Sequence, residues 1–275
     1  MICTSKTIKA YRSLFVIRVA ENLQYRAAAI INSSVGIFWS IMQIVVFTIF
    51  FTFGDVGEAS MTLPQAITYA WFAQVLWRLT GWLSLDTDIR GKIIGGNVAL
   101  DLCRPMDLYT HWYAQTIANR VGGAAWRIVV TLGTALIVPA ALRLLPPASL
   151  AGFLLFIVSV CIGVFLCAAF AMLMAAVRVG LTWGDGPTYM LEMIGMFLNG
   201  SYFPLALWPD FMQRFLLLQP FAGLMDIPIR LYIGLLLPQD AVWVIGLQIF
   251  WAIAFVVVGK HILHRRICQL IVQGG

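Results

Sequence analysis

Charge is what this 275-residue chain has least of. Asp, Glu, Lys and Arg together make up 11% of it, against roughly 25% in an ordinary soluble domain. Apolar residues reach 61% and mean hydropathy is +0.89, where about 45–50% apolar is usual. A soluble globular domain, a disordered chain and a coiled coil are thereby excluded. No polar stretch is long enough to fold as a soluble domain, none is of low complexity, and no internal repeat is visible. A nucleotide-binding loop is missing too. Gly91-Lys92 is followed by Ile93 and lacks both the upstream Gly and the Ser/Thr hydroxyl that Mg²⁺ needs. No Ser/His/Asp arrangement stands out. Five cysteines are few, and none falls in an expected outside loop, so all are expected to be free thiols.

What is present is long apolar sequence. A membrane-crossing helix needs about 20 mainly apolar residues. Six segments meet that: Ala27–Phe53, Ala66–Leu85, His111–Leu142, Leu150–Val177, Thr188–Leu207 and Ala241–Leu263. The expected fold is therefore all-α, a single polytopic membrane domain over residues 1–275 with no nucleotide-binding domain.

The net charge of +6 could suggest nucleic acid, but position argues for topology instead. Lys6, Lys9, Arg12, Arg18 and Arg26 precede the first span. Arg90, Lys92 and Arg104 lie between the second and third, Arg178 follows the fourth, and Lys260, Arg265 and Arg266 follow the sixth. The opposite side holds only Arg143, Arg214 and Arg230. The positive-inside rule puts both termini in the cytoplasm, and an even number of spans agrees. The first outside loop, with Asp55 and Glu58, has no Lys or Arg. Ile8, Tyr11, Phe15 and Val19 recur at helical spacing between basic residues, which reads as a helix lying in the membrane interface.

Two connections exceed what linking spans requires. Residues 86–107, DTDIRGKIIGGNVALDLCRPMD, read as a short amphipathic helix that breaks at Gly95-Gly96 and again at Pro105. Residues 199–240 are apolar yet hold Pro204, Pro209, Pro220, Pro228 and Pro238. Short helices that dip into the outer leaflet and return, a broken re-entrant region before the last span, satisfy both features.

In order along the chain, the basic interfacial start, the six spans, the run through Ile94, Gly96, Leu100, Leu102, Arg104 and Pro105, and the Gly200-x-x-x-Pro204 stretch resemble the permease subunit of an ABC-2 (type-2) exporter. That resemblance implies a pair of permeases served by separate cytoplasmic ATPase subunits, which would hold the ATP and Mg²⁺. This chain would hold no cofactor and would not itself be an enzyme. The loop between the second and third spans would then be the coupling helix. Asp88, Arg90 and Lys92 would be its charges and Ile93 and Ile94 its apolar anchors. Lipid is the other expected partner, and the setting is a bacterial-type plasma (inner) membrane.

Polar side chains within spans suggest function by default. Gln43, Gln74, Arg78, Asn119, Arg120, Arg127, Glu192 and Asn199 form that set, and an ion pair of Glu192 with Arg78 or Arg127 is expected. Ser159, Gly163, Cys167, Ala171 and Ala175 place one small residue every four along the fourth span. They invite close approach by another helix of the same or a second subunit. Asp86-x-Asp88 resembles a metal–diphosphate site, and His261, His264 and Cys268 share a helix face. Two further functions therefore stand beside an ATP-driven permease. One is a membrane-embedded transferase using Asp86 and Asp88. The other is an ion-coupled secondary transporter using Glu192.

Overall fold

The computed structural model describes residues 2–24, 26–54, 60–103, 106–179 and 185–268. Arg104 and Pro105 of the resemblance, and Asp55 and Glu58 of the first loop, lie outside them, as does the side chain of Cys3. Cys103, Cys161, Cys167 and Cys268 are free thiols.

Among the described residues all regular structure is helical. Helix α1 spans Ile2–Gln24, α2 Arg26–Phe53, α3 Leu63–Leu76, α4 Thr87–Ile94, α5 Val98–Leu102 and α6 Leu108–Ile137. Then follow α7 (Leu150–Arg178), α8 (Gly186–Leu198), α9 (Asp210–Leu218), α10 (Asp226–Ile233) and α11 (Pro238–Ile267). Their starts are written in the sequence. Ser149 Oγ accepts from Gly152 N at 2.9 Å to open α7, and Asp107 accepts from Thr110 N at 2.9 Å to open α6. Pro64 and Pro238 stand in the first turns of α3 and α11, where a missing N–H costs nothing.

Four helices, α2, α6, α7 and α11, are long and apolar enough to cross a membrane, and they match the first, third, fourth and sixth expected spans. The second and fifth expected spans are shorter helices. α3 widens into a π turn over Trp77–Gly81 and stops. α8 has 13 residues, about 20 Å of helix, bounded by Gly186-Pro187 and by Gly200 in the left-handed conformation.

The break after α3 is possible because its freed carbonyls find donors. Asn199 Nδ2 donates to Gly81 O at 3.1 Å and the Cys167 thiol to Thr80 O at 3.2 Å. Arg120 Nη1 donates to Trp82 O at 2.7 Å. Non-helical backbone within an apolar body survives only when satisfied in this way.

α7 is the axis of the bundle. It packs along α11 on one side and against α10 and α6 on others, while α2 packs on α3 and α6, and α1 docks on α6. The α1–α6 contact is close. Gly122 faces the Val19 backbone, Asn22 Nδ2 donates to Asn119 Oδ1 at 3.3 Å, and Trp126 Nε1 donates to Leu23 O. The first helix thus has protein on one face, beyond the interfacial helix expected.

The proline-rich stretch folds into α9, α10 and three-residue 3-10 turns at Leu205–Leu207 and Ala222–Leu224. Every residue of α10 is buried. Arg230, expected outside among the loop cations, pairs instead with the fully buried Asp226 one turn earlier, Nε to Oδ2 at 2.5 Å. Asp226 Oδ1 also accepts from the Tyr69 hydroxyl and from Leu205 N, each at 3.0 Å. Gly200 O lies 2.9 Å from the same hydroxyl and shares its one proton with Asp226. Gly200 adopts φ +85°, and a Cβ there would run into Tyr69 and Asp226, so glycine is required on both counts.

Candidate functional site

The two ends of the bundle raise different questions. At the end holding α4 and α5, a second apolar cluster gathers Leu85, Ile89, Val98, Tyr109, Trp112 and Leu263 with small residues of α7. Ile89 is completely buried and is the helix's real anchor. Ile93 is half-buried and leans on the same cluster. Only Ile94 of the expected pair points outward, 67% exposed; on α5, Leu100 at 69% and Leu102 at 42% are exposed as well. The apolar residues that these two short helices leave open are therefore Ile94, Leu100 and Leu102, while Ile93 leans on the protein's own interior.

The charges of α4 are likewise engaged within the chain. Asp88 meets Arg18 of α1 at 2.9 Å, and Lys92 meets the buried Asp101 at 2.7 Å, where Trp112 Nε1 also donates. Arg90 reaches Asp185 at 2.6 Å. Asp86 caps α4 through Asp88 N at 3.1 Å and accepts from Asn119 Nδ2 at 2.6 Å.

Asp185 connects this helix to the bundle. Its other oxygen lies 3.3 Å from Arg178 Nε, and Arg178 Nη2 lies 2.9 Å from Glu192 Oε1. Arg178 and Glu192 are both buried. The expected ion pair is corrected here: Glu192 pairs with Arg178 at the end of α7, not with Arg78 or Arg127. The run of charges Arg90–Asp185–Arg178–Glu192 thus joins α4, α7 and α8. Sequence reasoning counted Arg178 among the cations of the cytoplasmic side because it follows the last apolar residue of its span. Its i, i+14 separation from Glu192 crosses an interhelical connection and carries no periodic signal.

Arg127 instead donates from Nε to Gln74 O and from Nη2 to Gln74 Oε1, each at 2.9 Å. Arg78 makes no hydrogen bond among the described residues, and lines crevices with Asp86 and Asn119. A cavity of about 560 Å³ lies between α2, the end of α3 and the turn after α8. Arg127, Gln74 and Gln43 line it together with Trp39, Trp77, Trp82 and Tyr202.

The small-residue stripe of α7 is used inside the chain. Ser159 Oγ bonds to the buried Gln248 of α11 at 2.9 Å from Nε2, and Cys167 reaches Thr80 O. Gly163 sits against Gly223 O, where a Cβ would come within 3.3 Å. Ala171 and Ala175 lie in the cluster beside α4. The stripe seats the π turn and the 222–224 turn, so it is not a surface for a second subunit. His261 and His264 lie on α11 and Cys268 caps its C-terminus, and among the described residues no group of three or more His, Cys, Asp or Glu could hold a metal ion.

The described residues thus form an all-helical body with four helices long and apolar enough to cross a membrane, a broken apolar stretch at one end and a short charged helix pair at the other. Residues 37–274 match the family model described as ABC-2 family transporter protein. The chain belongs to this family. No curated protein matches it. As an ABC-2 permease it is an integral membrane protein, and the family works with ABC ATPase partners.

Proposed function

We propose that this ABC-2 permease is one half of the membrane pathway of an ATP-driven exporter. A second permease, identical or related, completes the pathway, and separate ATPase subunits bind ATP and Mg²⁺. Both termini face the cytoplasm of a bacterial-type inner membrane. Six crossings arise when α3 with its π turn, and α8 with the segment after it, complete the four long helices. Residues 199–237 form a re-entrant cap on the outer side.

The observation that carries this reading is the coupling of an exposed apolar face to a chain of charges. Ile94, Leu100 and Leu102 offer an apolar surface on the α4–α5 pair, and helices that present such anchors fit a partner's groove. A rigid-body push on α4 passes through Arg90 and Asp185 to Arg178 at the end of α7 and Glu192 in α8. ATP-driven motion of the partner then rearranges helices beside the cavity. The carboxylates that a transferase or an ion-coupled carrier would need are already committed: Asp86 to the α4 cap, Asp88 to Arg18, Glu192 to Arg178.

Co-purification tests it. Ile94→Asp and Leu100→Asp should each release the ATPase and abolish transport while the permease stays inserted. Lys92→Ala should release much less, because Lys92 is spent on Asp101 within the chain and not on a partner. Full ATPase retention and transport in both aspartate variants would remove these helices from the coupling role. A wild-type permease that never carries an ATPase would sink the exporter reading.

A further inference from the structure

The cavity beside α2 is walled by Trp39, Val46, Trp77, Trp82 and Tyr202, and its volume of about 560 Å³ is in the range of small-molecule sites. Arg127 lines it. Both acceptors that Arg127 uses belong to the neutral Gln74, and its Nη1 group has no partner among the described residues. Arg78 on the adjoining π turn repels Arg127. Arg78 is itself repelled by Arg120 and attracted by Asp86, whose oxygens already serve Asp88 N and Asn119.

Hydrogen bonds to a neutral amide satisfy a guanidinium's donors but not its charge. A cation set in apolar surroundings within a bilayer costs several kcal/mol unless an opposite charge is near. Among the described residues no carboxylate pairs with Arg78, Arg120 or Arg127. Asp86 offsets Arg78 in part, whereas Arg127 has only Gln74 and the repulsion of Arg78, so its compensating charge is what a ligand in the cavity can supply, and the aromatic walls suit a hydrocarbon body rather than a hydrated ion.

We infer that this cavity binds an amphiphile with an anionic head group, a phosphate, sulfate or carboxylate held by Arg127, and an apolar body lying against Trp39, Trp77, Trp82 and Tyr202. It rests on the permease reading only in making that ligand the exported substrate class, since binding needs no ATPase.

The probe is radiolabelled dodecyl phosphate, added to the full-length chain in nanodiscs of neutral phosphatidylcholine. Saturable binding is expected, displaced by dodecyl sulfate and not by dodecyltrimethylammonium. Arg127→Gln should weaken it about tenfold or more, as loss of a charge-assisted hydrogen bond does, and Arg127→Lys should keep part of the affinity. Excess inorganic phosphate should leave the probe bound. Displacement by inorganic phosphate would mark a free-anion site and overturn the amphiphile. So would equal displacement by the cationic amphiphile, unchanged affinity in Arg127→Gln, or no saturable binding at all, the result expected if a second copy fills the cavity. If Arg127→Gln does not fold, head-group discrimination by the wild-type chain decides alone. Head-group-selective binding by a permease that carries no ATPase would sink the exporter reading and leave this one standing. Intact ATP-driven transport without head-group selectivity would do the reverse.

Discussion

Arg178 and Glu192 show how one side chain can hold three helices together. Removing one partner of a buried ion pair typically costs about 3–5 kcal/mol, because the other charge is left in low dielectric. Asp185 stays 3.3 Å from Arg178 Nε, so Glu192→Gln should fall toward the lower end, read as a drop in thermal unfolding temperature in detergent. A double-mutant cycle should show strong coupling of Glu192 to Arg178 and none to Arg127; coupling to Arg127 would contradict the pairing. Asp107, just outside α6, gives a pH-dependent counterpart. Burial pushes its carboxyl up, but the hydrogen bonds from Thr110 N–H and hydroxyl, with the charge of Lys260, outweigh it and hold it below the usual carboxylate range. A depressed value stabilises the folded state above the unfolded pKa, and that contribution is lost as pH falls through the folded one. Asp107→Ala should therefore cost about 1 kcal/mol near neutral pH, the usual worth of an N-cap. The gap to wild type should close in acid. A gap that widens in acid would reverse the sign.

At the level of elements, the turn that ends α3 is held by three other helices or their ends. Arg120→Met leaves the Ser84 carbonyl without its donor and the Trp82 carbonyl with only the long Cys167 thiol contact at 3.9 Å, at about 1–3 kcal/mol for a buried group left unsatisfied. The measurement is unfolding in detergent together with hydrogen exchange at residues 82–85. Wild-type protection there would show that the carbonyls have another donor. Helix starts were legible because their devices are local: Ser149, Asp107, Pro64 and Pro238 each act on the next three residues. The stop after α3 was not legible, since residues 66–85 read as one mainly apolar run despite Gln74 and Arg78, and what ends the helix is the donors of Arg120, Asn199 and Cys167 from elsewhere. The α4 helix was read correctly as a short helix broken at Gly95-Gly96, yet its faces were not. Which of Ile89, Ile93 and Ile94 turns inward depends on where Trp112, Tyr109 and Leu263 stand.

For the whole molecule, the orientation rests on the asymmetry of Lys and Arg between the two sides. A cysteine at Glu58 should react with an impermeant maleimide on intact cells, and one at Lys92 should react only after permeabilisation. Labelling of Lys92→Cys alone would invert the topology. The same asymmetry treated Arg230 as an outside loop cation, whereas it lies buried in α10 against Asp226. Counting charges along the chain cannot distinguish a solvated arginine from one neutralised a single turn away.

The sequence by itself determined that this chain lives in a membrane, that α2, α6, α7 and α11 are among its long apolar segments, and that a short charged helix lies in a connection rich in Lys and Arg. Those properties are sums over neighbouring residues, hydropathy over about 20 positions and charge over short loops, and no folding is needed to evaluate them. Only the tertiary structure decided that the small residues of α7 seat turns of the same chain, that Glu192 meets Arg178, and that Arg127 is left with neutral acceptors beside an apolar cavity. Each is a contact between residues far apart in the chain or across a break in helix. Its existence depends on where the backbone turns, and in lipid that is fixed by which distant donor satisfies each freed carbonyl.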